Sequence, residues 1–323
     1  MNRSATLAGA AGMTFVGGSV AVSGVLADAP VLTVQALRYA VACLLLLGFA
    51  RLSGRPVVRP RGAEWLWLAG VVLTGMFVFN LALVLGARHA EPAVLGVAVA
   101  CVPVLLAVAG PVREGRVVLA ALVVTGGAAL VQGFGRTDGI GLVWALVTFA
   151  CEAGFTLLAI PVLGRHGPLG VSVHATWMAA VLFGLAGFFV DRQVVLSTVD
   201  LLAGAYLAVG VTAVAFVLWY TCVSRIGSAR AGLLTGIAPI AAAATGVALG
   251  GPMPSPLVWL GIGVVAGGLW LGLRQVGRVA AEDERGDVDP RDGAVGVAQD
   301  RQHLALVVPV HAAPPVRRLP DEP

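Results

Sequence analysis

Long apolar runs recur along the first 273 residues, and each is close to the length of a helix that crosses a bilayer. A spanning helix needs about 20 mainly apolar residues, and helices satisfy their own backbone hydrogen bonds in lipid. The runs predict an all-α integral membrane protein with ten transmembrane helices, at residues 7–27, 33–50, 65–87, 92–110, 116–133, 139–162, 169–190, 201–223, 230–250 and 256–273.

Composition supports the membrane class. Apolar residues form 58% of the chain and charged residues 12%, whereas soluble domains have about 45–50% and about 25%. A soluble core cannot bury this excess. The net charge of +4 comes from arginines in short gaps rather than from a basic stripe, so no nucleic-acid partner is expected. The four cysteines lie in apolar runs without metal or disulfide spacing, and no metal or cofactor is expected.

The arginines also predict the orientation. With the N-terminus in the cytoplasm, twelve arginines fall in inner loops and helix ends, and only Arg88, Arg136 and Arg192 fall in outer loops. This is a positive-inside bias, so we expect a multi-pass protein of the cell membrane with both termini cytoplasmic. Residues 279–323 are charged and aperiodic, and they are predicted to form a disordered cytoplasmic tail.

The two halves of the membrane region align without a gap at an offset of 136 residues, which places Pro103 on Pro239. Each repeat then has five spans, and an odd number forces the second copy into the membrane inverted. We therefore predict a first repeat over residues 1–135 and an inverted repeat over residues 136–278. The two prolines either leave carbonyl groups facing a central cavity or simply kink their helices. Inverted repeats are typical of secondary transporters that work by alternating access.

Several segments resemble one transporter family. Residues 36–42, ALRYAVA, are similar to its second helix, which often carries an Arg-aromatic-x-x-Ala pattern. Residues 80–93 are similar to its third-to-fourth helix junction, and Pro103 and Pro239 to its paired prolines. With five plus five spans, the chain resembles the EamA-type members of the drug/metabolite transporter superfamily over about residues 5–274.

The resemblance implies transport, mostly export, of amino acids, other metabolites, drugs or sugar derivatives. Two departures from the family pattern are visible. Gly17 and Gly18 stand where the first helix commonly has a Trp-Gly pair, and His174 stands in the second repeat opposite Arg38.

Three ionisable residues lie well inside predicted spans: Glu152, Arg38 and His174. Such residues cost about 2.5–3.5 kcal/mol on insertion scales and are functional candidates by default. Glu152 can carry a proton, bind a cationic substrate group, or form a structural pair with Arg38. Arg38 is suited to clamp an anion, and its alternatives are pairing with Glu152 or reaching the outer interface. His174 can titrate at physiological pH or serve as a packing residue.

Four uncharged residues complete the candidate site. Asn80 and Gln35 can hydrogen-bond a substrate or join helices. Trp219 and Tyr220 lie inside a span, where they can line a cavity, although such residues are also common at membrane interfaces.

These features favour a secondary transporter of a small organic metabolite, first of all an exporter of amino-acid-like or drug-like compounds, with proton coupling left open. Its partners are the substrate and the bilayer, and it acts as a monomer or a homodimer. One alternative is a membrane enzyme for lipid-linked substrates, which needs clustered acidic or histidine groups; the loops offer only isolated pairs such as Arg165-His166. A non-transporting membrane subunit is the other.

Overall fold

The computed structural model describes residues 3–26, 29–110, 114–191, 195–250 and 253–273. These residues form ten helices: α1 (Arg3–Val25), α2 (Val31–Leu52), α3 (Glu64–Gly86), α4 (Pro92–Ala109), α5 (Gly115–Gln132), α6 (Gly139–Leu157), α7 (Ile160–Val190), α8 (Thr198–Ile226), α9 (Ser228–Ala248) and α10 (Pro256–Leu273).

The all-α prediction is confirmed. Nine helices of the described residues, α2 to α10, are long and apolar enough to cross a membrane. Helix α1 has 23 residues, which is also sufficient length at a rise of about 1.5 Å per residue. A count of ten spans, the repeat boundaries and the inverted arrangement stay predictions, and the predicted tail lies outside the described residues.

Large apolar side chains cover the outside of the bundle. Phe188 and Phe189 on α7 are 82% and 79% exposed, and Leu44 on α2 is 69% exposed. Contiguous apolar surface of this kind is unfavourable in water, whereas lipid tails solvate it. The distribution of exposed residues therefore agrees with the membrane class.

Helices α3 and α8 each contain a π-helical segment, Leu73–Val78 and Leu207–Val214 respectively. The 136-residue offset carries Leu73–Val78 onto residues 209–214, which lie inside the second segment. π-helical turns are rare and occur frequently at functional sites. The two halves thus share an irregular backbone at equivalent positions, as well as the apolar pattern.

Both predicted proline sites follow an interruption of their helix. Helix α4 breaks at Cys101, just before the buried Pro103. The Ala100 carbonyl at this break accepts a hydrogen bond from Thr125 Oγ1 of α5 at 2.9 Å, so helix packing uses it. In α9 a short 3₁₀ turn precedes Pro239, which is half-buried.

Glycines bring the helix backbones together where α5 meets α10. A Cβ atom at Gly127 would lie 2.7 Å from the Val265 nitrogen and 2.8 Å from the Gly261 carbonyl oxygen. Small residues allow this approach in membrane bundles. By contrast, a Cβ atom at Gly263 or Gly267, spaced as a GxxxG pair, would meet nothing within 4 Å.

The junction between α6 and α7 differs from the predicted one. The polar residues before Gly167 favoured a loop from 163 to 168, but α6 ends at Leu157 and α7 already begins at Ile160. Helix α7 is kinked at Gly167, which has a φ of +64° and is followed by Pro168. Glycine accepts this positive φ without a steric penalty, so the chain kinks there and helix continues on both sides.

Candidate functional site

Four polar side chains from three helices meet inside the apolar bundle. Gln35 Nε2 of α2 donates to Asn80 Oδ1 of α3 at 2.7 Å. Arg38 NH1, one turn further along α2, donates to Gln35 Oε1 at 3.2 Å, and Arg38 Nε donates to Thr212 Oγ1 of α8 at 2.7 Å. The sequence predicts separate candidate site residues in Gln35, Arg38 and Asn80. The structure brings these three together with Thr212. We call these four residues the central network.

The π-helical segments hold both ends of the central network. Asn80 Nδ2 donates to the Met76 carbonyl oxygen at 2.5 Å, inside the segment of α3. Thr212 Oγ1 donates to the Leu207 carbonyl oxygen at 2.9 Å, inside the segment of α8. The polar contacts between the helices therefore depend on the irregular backbone of both α3 and α8.

Arg38 keeps donor capacity for a ligand. A guanidinium has five N–H donors, and two nitrogens of Arg38 are used by Gln35 and Thr212. The group also lies 5.1 Å from the ring centroid of Tyr39, a cation–π distance. The side chain is half-buried, so its remaining donors suit a carboxylate or phosphate group.

Glu152 lies near the middle of α6 and is half-buried. Within the described residues its carboxyl group has no hydrogen bond and no ion pair, and the predicted alternative of a pair with Arg38 is not formed. An unpartnered carboxylate is costly in a bilayer. The group is therefore available for a proton or for a cationic part of a substrate.

Trp219 and Tyr220 are in helix contacts. Trp219 is 3% exposed and donates from Nε1 to Thr156 Oγ1 at 3.2 Å. Tyr220 is 0% exposed and donates to the Phe155 carbonyl oxygen at 3.3 Å, with its ring 5.2 Å from that of Phe155. In this conformation the two side chains join α8 to α6.

His174 lies apart from the central network. Its Nε2 is 2.8 Å from the Val58 carbonyl oxygen, which can only accept, so Nε2 carries the proton. Its Nδ1 accepts from Trp177 Nε1 at 3.2 Å. Because both ring nitrogens already have partners, the geometry fits a packing role better than proton transfer.

A second polar cluster was not predicted. The Glu64 carboxylate at the start of α3 accepts hydrogen bonds from Arg165, from His166 Nε2 at 3.2 Å and from the Arg61 backbone N–H at 2.7 Å. The sequence presented Arg165-His166 as an isolated pair. Its acidic partner lies about a hundred residues earlier, and no local spacing reveals that contact.

A third polar cluster lies where α3 ends and α6 begins. His89 Nδ1 is 3.0 Å from Asp138 Oδ2, and Arg136 Nε donates to Glu91 Oε1 at 3.0 Å. The Gly141 N–H and His89 hold the pKa of Asp138 below its usual value. Hydrogen bonds from Arg136 lower the pKa of Glu91. The cluster connects the loop after α3 with the loop before α6.

The fold and the central network define a polytopic helical membrane protein with a polar site inside its bundle. The EamA-like transporter family matches residues 3–131 and residues 139–274. The chain belongs to this family, whose members contain two repeats. The predicted resemblance is thereby confirmed, and the family indicates a membrane transporter of the drug/metabolite transporter type rather than an enzyme.

Two comparisons agree with this assignment. The chain is 26% identical over 281 residues to the uncharacterized transporter YetK of Bacillus subtilis (strain 168), covering 81% of this chain and 84% of YetK. A solved crystal structure with 19% sequence identity has a TM-score of 0.74 and covers 86% of this chain and 99% of that one. This second likeness concerns the fold.

Proposed function

We propose that the protein exports a small amino-acid-like metabolite across the cell membrane by alternating access, with both termini in the cytoplasm. The central network carries this proposal. Three helices of an apolar bundle place an arginine, two amides and a hydroxyl in contact, and Arg38 keeps unused donors. Polar and charged groups inside a membrane are costly, and their presence therefore indicates a role in packing or in substrate binding.

In this proposal Arg38 binds the carboxylate of the substrate. Its guanidinium can form two parallel hydrogen bonds to a carboxylate. Gln35 and Thr212 fix the orientation of Arg38, while Asn80 fixes Gln35. The amides and the hydroxyl are therefore positioning groups for the charged contact.

In this proposal Glu152 binds either the cationic part of the substrate or a proton. Its unpartnered carboxyl group either binds the ammonium group of a zwitterion or exchanges a proton that couples export to the proton gradient. The same group can neutralise an amphipathic cation, and one observation favours this second cargo class. The rings of Phe155, Phe216 and Tyr220 cluster with centroid distances of 5.1 and 5.2 Å, at the turn that follows Glu152 on α6, and aromatic faces attract cations.

Alternating access draws support from the two π-helical segments. Thr212 lies inside the segment of α8, and Asn80 lies two residues after the segment of α3 and hydrogen-bonds to it. Irregular segments are where membrane helices rearrange or line a cavity. A conformational change at either segment would alter contacts to Gln35 or Arg38.

The test starts with cells that overexpress the wild-type protein, Arg38→Gln or Glu152→Gln at matched membrane levels, with an empty vector as reference. We expect a zwitterionic metabolite to accumulate outside wild-type cells and to fall at least about tenfold with Arg38→Gln, because a charge-assisted contact is lost. Arg51→Gln, an exposed arginine at the end of α2, is the matched control and should behave as wild type.

Counterflow in proteoliposomes then separates the cargo classes. Exchange of a labelled amino acid that needs both Arg38 and Glu152 supports the zwitterion. Exchange of an amphipathic cation that needs Glu152 but tolerates Arg38→Gln moves the proposal to the drug-like class. If neither cells nor vesicles show saturable exchange, the export proposal is wrong, and a non-transporting subunit becomes the better interpretation.

A further inference from the structure

A small pocket lies at one end of the bundle, away from the central network. It has a volume of about 240 Å³ and is formed where the chain leaves α2, where α7 kinks and where α8 ends. Neither Arg38 nor Glu152 lines it. Pockets for drug-sized ligands measure roughly 300–1,000 Å³, so this one suits a smaller chemical group.

Two arginines give the pocket a positive charge. Arg55 follows α2 and Arg225 lies in the last turn of α8, and both side chains line the pocket and are exposed. Within the described residues neither forms an ion pair. Their donors are thus free for an anion from outside the chain.

A buried histidine provides an independent sign of a ligand. The His166 side chain is 0% exposed, and its Nε2 lies 3.2 Å from the Glu64 carboxylate. Its Nδ1 atom is buried and has no hydrogen-bond partner. A Cβ atom built on Gly170 would lie 3.9 Å from this Nδ1, and both residues line the pocket. His166 itself lines the pocket, so this buried nitrogen without a partner belongs to a side chain of the pocket wall.

The kink in α7 adds a favourable dipole. Gly167 has a φ of +64°, and the straight part of α7 starts at Pro168, a residue that suits the first position of a helix. The next two residues, Leu169 and Gly170, line the pocket. The N-terminal turn of this 23-residue segment therefore points its positive end at the pocket, an arrangement that favours anions.

We propose that this pocket binds a phosphate group, from either the head group of an anionic phospholipid or a small soluble phosphate compound. Guanidinium groups match the oxygens of phosphate, and the pocket combines two of them with an imidazole nitrogen and a helix start. The proposal adds a second site to the transporter and does not depend on the cargo of the central network.

The test uses the purified full-length protein and two double variants. Arg55→Gln/Arg225→Gln removes the two pocket charges. Arg51→Gln/Arg116→Gln is the control, because it removes the same charge from exposed helix ends that do not line the pocket. All four positions are exposed, so we expect both variants to fold.

Two arms separate the sources of phosphate. Native mass spectrometry of protein from mixed phosphatidylglycerol and phosphatidylcholine nanodiscs measures lipid retention. Calorimetric titration with inorganic phosphate in detergent measures soluble binding. We expect the pocket variant to lose at least about tenfold in one arm, and the control less than about twofold.

The results of the two binding measurements identify the source of the phosphate or overturn the proposal. Loss of phosphatidylglycerol retention alone identifies a lipid site, and loss of inorganic phosphate binding alone identifies a soluble ligand. Equal losses in the pocket variant and the control would mean general charge attraction and would overturn the proposal. Wild-type protein that binds neither probe would also overturn it.

Discussion

The contact between Gln35 and Asn80 allows a quantitative test of the central network. Replacing Gln35 by leucine removes two hydrogen bonds, one to Asn80 and one from Arg38. Replacing Asn80 by leucine also removes two, one from Gln35 and one to the Met76 carbonyl oxygen. The double variant removes three bonds, because the two single variants share one.

Hydrogen bonds between membrane helices contribute about 0.6 kcal/mol on average and about 1.7 kcal/mol at most. Only the bond from Gln35 to Asn80 joins two helices, and we apply the same value to the bonds within α2 and α3. Each single substitution should then lower the free energy of unfolding by about 1.2 kcal/mol, and the double substitution by about 1.8 kcal/mol. The double-mutant cycle then gives a coupling energy of about 0.6 kcal/mol, above the error of about 0.3–0.5 kcal/mol for independent sites.

The measurement is reversible unfolding of the purified protein in mixed micelles, followed by circular dichroism. Thr14→Val is the control partner for Asn80→Leu, since the Thr14 hydroxyl bonds to a carbonyl of its own helix and should show no coupling. Additive effects at Gln35 and Asn80 would refute a hydrogen bond that stabilises the folded bundle.

Two further predictions concern the stability of the fold, one through close packing and one through charge. Gly17→Ala places a Cβ atom 2.2 Å from the Ala238 carbonyl oxygen, so overpacking should cost about 1–3 kcal/mol in the same unfolding assay. Gly48→Ala, where a Cβ atom meets nothing within 4 Å, should be neutral or stabilising. Asp138 has a pKa held below 3.8, first by the Gly141 N–H, and a lowered carboxyl pKa stabilises the fold above pH 3.8. Asp138→Asn should therefore lower the melting temperature at pH 7, and the difference from wild type should vanish as the pH falls through the lowered pKa; a pH-independent difference would contradict this.

The helical spans could be predicted because a bilayer demands long apolar segments, and those segments are local in sequence. The candidate residues Gln35, Arg38 and Asn80 could be named for a similar reason, since polar residues stand out in apolar runs. Thr212 could not, because threonine is unremarkable in a membrane helix and its role depends on the π-helical backbone around it.

The remaining side-chain contacts could not be predicted, because they join residues that are far apart in the sequence. The Glu64 contact to His166 joins residues 102 positions apart, and only the packing of α3 against α7 creates it. His174 is a candidate because it is ionisable inside a predicted span, and the repeat places it opposite Arg38, yet its partners are the Val58 carbonyl oxygen and the Trp177 indole. A repeat relation predicts the path of the backbone and leaves side-chain partners undetermined.

The paired π-helical segments have a mechanical consequence. A π-helical turn holds one residue more than an α-helical turn, so tightening it to α-helix would advance the rest of the helix by one register step. That step turns the following residues by about 100° and moves them by about 1.5 Å along the axis. In α3 it would swing Asn80 away from Gln35, and in α8 it would carry Thr212 off Arg38. The two register shifts would therefore act on one helix, because Gln35 and Arg38 of α2 hydrogen-bond to α3 and α8 respectively.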